Sequence, residues 1–140
     1  MAAPAPRFRN AILCDAVYQD ESSKKAIIAG VYSGDILADS LPGVFPVAMY
    51  LEFFPKDGAA HKIELNVLLA GKKYARALIE TAATDSSPIM LLMPPMAVKT
   101  DTPARLEIRA SIDGGRAVRV IEKQIRLRAP LTDPASTPAS

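Results

Sequence analysis

The chain has 140 residues, 49% of them hydrophobic and 23% charged, with a formal net charge of +2. A chain of this length can bury roughly two-thirds of the surface its unfolded form exposes, so the composition excludes a disordered protein. The small net charge excludes a general electrostatic pull toward nucleic acid or anionic membrane, and the single cysteine, Cys14, excludes an internal disulfide.

Residues 1–6 are Ala and Pro after the initial Met, and residues 130–140 are mostly Pro, Ser, Thr and Ala. Both read as flexible tails around one domain over residues 7–129. No apolar run follows a basic patch and no segment reaches bilayer length. The lone cysteine suits a reducing compartment, so a cytoplasmic location is the expectation.

"RNAILCDAVYQD" and "KKAIIAGVYSGDIL" flank a Ser-rich connector, Glu21 to Ser23, and read as a first hairpin. "VFPVAMYLEFF" is apolar on nearly both faces, as a strand covered on both sides is, until Pro55, Lys56, Asp57 and Gly58 end it with turn chemistry. "KIELNVLL" alternates with period two, putting Ile63, Leu65, Val67 and Leu69 on the core side. "KKYARALIETAAT" favours a helix by propensity but a strand by its neighbours, and the strand is the better reading of residues 73–84. Pro88, Pro94, Pro95 and Pro103 exclude a helix from "SPIMLLMPPMAVKTDTPAR" and point to an edge strand.

In "ARLEIRASI", Leu106, Ile108, Ala110 and Ile112 face inward and Arg105, Glu107, Arg109 and Ser111 outward. Asp113, Gly114 and Gly115 form the clearest hairpin signal in the chain. The return strand changes its inward phase, which requires a β-bulge or break near Ile121 to Gln124. Seven to eight short strands indicate an all-β fold, an antiparallel two-sheet β-sandwich of the immunoglobulin-like or C2-like kind.

The candidate chemistry is thin. In "IIAGVYSGDIL" the two glycines resemble a phosphate loop, but Asp35 follows Gly34 and neither a helix nor a Gly-Lys-Ser/Thr run comes after. A strand that bends at Gly30 and turns at Gly34 is the better account. Cys14 with the single histidine, His61, is the one route to a thiol enzyme, yet Cys14 sits among Ile12, Ala16 and Tyr18 as a small buried hydrophobe does. Asp15, among Ala11, Leu13 and Val17, needs a sheet edge, a bulge or a hydrogen-bond partner, and Ser33 across the first hairpin is the candidate.

Met90, Met93 and Met96 have a soft-metal spacing, but on a strand that spacing alternates faces and fits packing or an apolar contact surface. Asp20, Asp35, Asp39, Asp57, Asp85, Asp101 and Asp113 lie near turns, where calcium-binding sandwiches carry their ligands. No Asp-x-Asp pair occurs, and turn chemistry explains them. Arg105, Arg109, Arg119, Arg126 and Arg128 form a basic stripe without interleaved aromatics, which reads as a solvated face that resists edge-to-edge pairing. No metal, cofactor, nucleic acid or membrane partner is expected.

The run "AILCDAVYQD", followed by "KKAIIAGVYSGDI" and the Pro-flanked "LPGVFPVAMYLEF", resembles a family of small uncharacterised bacterial and phage-associated proteins. Those chains open with a Cys-Asp-Asp-Val strand and a Gly-Val-Tyr-x-Gly-x-Ile hairpin; here Ala16 replaces the second aspartate, and serines precede Lys24 and Lys25. The likeness covers about the first 55 residues and implies an all-β sandwich of unknown activity; it transfers no catalytic residue. The resulting expectation is a non-enzymatic interaction or assembly module that binds a protein or its own copies. Its candidate surface comprises Met90, Met93, Met96, Arg119, Arg126 and Arg128. The alternatives are a Cys14/His61 enzyme and a ligand- or calcium-dependent membrane module.

Overall fold

Apolar alternation broken by turn residues produces nine strands and no helix among the described residues of the computed structural model, which are 7–55, 57–82 and 87–129. The expected tails at 1–6 and 130–140, and the end of the ambiguous segment at 83–84, lie outside them. In chain order the strands are β1 (Arg7–Gln19), β2 (Ala26–Val31), β3 (Ile36–Ala38), β4 (Gly43–Phe54), β5 (His61–Leu69), β6 (Lys72–Thr81), β7 (Ile89–Thr100), β8 (Ala104–Ile112) and β9 (Val118–Leu127). They form a four-stranded sheet in the order β2-β1-β4-β7 and a five-stranded sheet in the order β3-β9-β8-β5-β6.

One apolar core joins the sheets. Leu13, Met49, Leu51, Phe53 and Met93 of the first sheet share it with Ile63, Leu65, Leu106, Ile108 and Ile125 of the second, and all are essentially inaccessible to water. Each such side chain contributes roughly 1.5–3 kcal/mol relative to an exposed one. The odd-numbered residues of β5 are its buried face, as the period-two reading requires.

The ambiguous segment is strand β6, paired antiparallel with β5. β7 is an edge strand and contains Pro94 and Pro95, which have no N–H to offer a neighbour. The bulge in the return strand falls at Val120, one residue before the expected interval: Ile108 pairs with Ile121 but Arg109 with Arg119. Both Val120 and Ile121 therefore pack against the core.

Three expectations are corrected. The strands number nine rather than seven to eight, because Ile36–Ala38 separates from β2 as a strand of its own. The pairing is not wholly antiparallel, since β3 runs parallel to β9, with Ile36 opposite Ile125. Glu107 and Ser111 are buried instead of facing water, because β8 lies between β5 and β9, and Arg109 holds the Glu107 carboxylate at 2.6 Å.

The first hairpin forms as the sequence indicates. The Asp20 carboxylate accepts the Ser23 N–H at 2.7 Å, and Asp20 and Lys25 close the turn through their backbones at 2.8 Å. Within β2, Gly30 has φ +69° and lies beneath Asp15 of β1. A Cβ on Gly30 would stand 2.1 Å from Asp15 Oδ2 and 2.8 Å from its Cβ, so only glycine fits this corner. Gly30→Ala is expected to destabilise the fold by about 1–2 kcal/mol from the backbone conformation alone, with the collision against Asp15 added. A double-mutant cycle with Asp15→Gly, read by urea unfolding, should recover roughly 0.5 kcal/mol or more of that collision. Strict additivity would contradict the close approach.

Candidate interaction edge and the groups around it

Each sheet ends in two edge strands whose outer backbone groups lack a strand partner, and charge, proline or brevity normally blunts such edges. β3 has three residues and β7 has its prolines. β6 carries Lys72, Lys73, Arg76 and Glu80. Tyr74 of β6 also donates its hydroxyl to the Ala97 carbonyl and accepts the Lys99 N–H, each at 3.1 Å, which ties β6 to β7.

β2 is built differently. Its six residues, AIIAGV, carry no charge, and Ile27 and Val31 are 52% and 53% exposed. Tyr18, directly opposite Ile27 on β1, is 56% exposed, which extends the apolar strip inward from the edge. Lys24 and Lys25 precede the strand, while the Asp15 carboxylate stands over Gly30 near its far end. The edge is thus positive at its start and negative toward its finish.

Asp15 and Ser33 of the candidate polar pair both lie exposed beside this strand, Asp15 on β1 and Ser33 in the connection from β2 to β3. Tyr32 sits at the same corner and donates its hydroxyl to the Pro46 carbonyl at 2.8 Å. Burial, and then the neighbouring Asp15, push that hydroxyl well above the ordinary tyrosine range. Cys14 lies beneath the strip with Val17 and Ala48, buried and directed to the Ala48 carbonyl at 3.6 Å. Burial raises its thiol pKa, the opposite of what activates a nucleophile.

Met93 is fully buried in the main core, whereas Met90 and Met96 are half-buried. The register shifts between the Met49–Met93 and Val47–Met96 pairs, at Pro94 and Pro95, so the alternation expected of the methionine spacing is broken and Met96 also packs against the core. The arginine stripe is matched by acids. Arg119 meets Glu122 at 2.6 Å and reaches Glu107 at 3.8 Å, Arg126 meets Asp35 at 3.0 Å, and Arg128 meets Asp39 at 3.1 Å. Among the described residues no group of three or more His, Cys, Asp or Glu gathers as a metal site, and Asp85 lies outside them.

His61 opens β5 in the second sheet, with its Nδ1 2.7 Å from Asp113 and its Nε2 2.9 Å from Asp57. Ionised carboxylates only accept, so the geometry suits the imidazolium, in which both ring nitrogens donate. The ring stands edge-on to Phe53 with centroids 5.5 Å apart, and Asp113 also accepts the Lys62 N–H at 2.8 Å. The clamp fastens the turn after β4 to the turn after β8. It leaves no ring nitrogen free to take a proton from a thiol. Only the closeness of His61 to the Asp57 turn hints at it in the sequence; Asp113 arrives through the fold.

No protein-family model and no curated protein sequence matches the chain.

The clamp depends on pH. Asp113 and then Asp57 raise the His61 pKa; the Lys62 N–H and then His61 lower that of Asp113, while His61 and then the Ala59 N–H lower that of Asp57. A raised histidine pKa stabilises fully below about pH 6.5, and that stability is lost as pH climbs through the folded value. The lowered aspartate pKa values stabilise above about pH 4 and lose that contribution as pH falls through their folded values. Relative to His61→Gln, the wild type is expected to have the higher urea midpoint in the window between these limits. The urea midpoints should converge in alkali, and a pH-independent difference would contradict the clamp. As the sole histidine, His61 gives one NMR titration, expected with a midpoint above about 6.5.

Proposed function

We propose that the chain is a non-enzymatic interaction and assembly module, a two-sheet β-sandwich whose β2 edge takes up a strand from another protein chain. The occupant is β2 of a second copy. The observation that carries this reading is the uncharged, apolar character of β2 beside the charged or proline-bearing edges of β6 and β7.

Antiparallel pairing of two β2 strands about a twofold axis joins the two four-stranded sheets into one. Ile27 and Val31 of each copy then lie against the other, where their exposed apolar surface leaves water. The same arrangement brings Lys24 and Lys25 of one copy toward the Asp15–Gly30 corner of its mate, so charge favours this direction of pairing. A reducing, cytoplasmic setting suits the buried free thiol of Cys14.

Native mass spectrometry and light scattering from micromolar to millimolar protein test the proposal. Wild type should populate a dimer within that range. Ile27→Lys with Val31→Lys, both at exposed positions, should weaken it more than about tenfold by like-charge apposition without lowering the melting temperature. A wild type that stays monomeric throughout, or an unaffected dimer in the double variant, would overturn the reading.

A further inference from the structure

At the opposite end of β1 from the β2 contact, the strand ladders stop short. β2 covers β1 only over Cys14–Gln19, and β3 covers β9 only over Ile125–Leu127. The start of β1 and the start of β9 are therefore bare on those sides, and a cleft of about 480 Å³ lies between the two sheets there. This volume falls in the range of small-molecule sites.

The cleft is apolar within and cationic around. Phe8, Ala11, Ile112 and Val120 line it as half-buried apolar groups above the fully buried Leu51 and Ala110, while Arg9, Arg116 and Arg119 are its charged lining residues. Two of those arginines are engaged: Arg9 lies over the Phe54 ring at 5.1 Å, and Arg119 meets Glu122 and Glu107. Arg116, in the connection from β8 to β9, has neither a carboxylate nor a ring partner among the described residues. Glu52, opposite Arg9 across the ladder, already accepts from Asn10 and Tyr50. Asn10 itself has φ +56° at the bulge that interrupts β1 between Arg9 and Ile12, a position where bulges re-aim side chains.

We infer that this cleft binds a small amphiphilic carboxylate, an aliphatic chain seated against Phe8, Ala11, Ile112 and Val120 with its single negative charge on Arg116. Arg116, the lining cation that neither a carboxylate nor a ring engages, takes the anionic group, and the apolar lining selects a chain without further polar atoms. The inference is independent of pairing at β2, which occupies the other half of β1.

Calorimetric titration of the full chain with octanoate, decanoate and dodecanoate below their micelle concentrations tests it, with decanol and decyltrimethylammonium as probes of equal tail. Decanoate should bind, and affinity should rise about fourfold per added methylene until the chain outgrows the cleft. Arg116→Glu should weaken decanoate more than about tenfold at an unchanged melting temperature, whereas Arg105→Glu, outside the cleft lining, should not. Absence of binding, equal binding of decanol, or an Arg116→Glu variant that binds like wild type would overturn the inference. So would tighter binding of a short apolar peptide through its C-terminal carboxylate, which would reassign the cleft to a protein terminus.

Discussion

Backbone hydrogen bonding at strand edges is the constraint from which the rest of this structure follows. Two stacked sheets have four edge strands, and every N–H and C=O along them must find water or a partner. Three of the four edges are closed by local chemistry: brevity in β3, proline in β7, and charge with the Tyr74 tether in β6. Of the three longer edges only β2 carries neither a charge nor a proline, and its one departure from a flat ribbon is the Gly30 corner under Asp15. The shortness of β2 and β3 separately leaves the starts of β1 and β9 bare, where the cleft lies.

Electrostatics is arranged around this frame in short-range pairs. Glu107, buried on β8, has Arg109 and Arg119 against it, and Asp35 joins β3 to β9 through Arg126. Arginines paired in this way present little net field to a polyanion, which agrees with the small net charge. The His61 clamp does for two turns what these pairs do for strands, and its dependence on one titrating ring makes it the part of the fold most responsive to pH.

Much of the architecture was legible in the residues. The alternation in "KIELNVLL", the Asp113–Gly114 turn and the prolines of β7 each act locally, so a single sequence reveals them. β3 escaped because three residues show no period and its partner lies far along the chain in β9. The burial of Glu107 and the joint inward packing of Met93 and Met96 escaped because cross-strand neighbours and a register shift decide them. Of the features that carry the proposals, the apolar edge was visible in "AIIAGV" only as a bending strand, since whether a strand is central or at an edge depends on sheet order. The cleft was invisible, because it exists where two strands are shorter than their neighbours.

The central claim, that β2 is an open pairing edge while β6 is a closed one, is tested most directly by amide hydrogen exchange as a function of protein concentration. The account predicts that exchange of the β2 amides slows as concentration rises, while the β6 amides, an edge in the same molecule, keep constant rates. Exchange at β2 that is independent of concentration would contradict it.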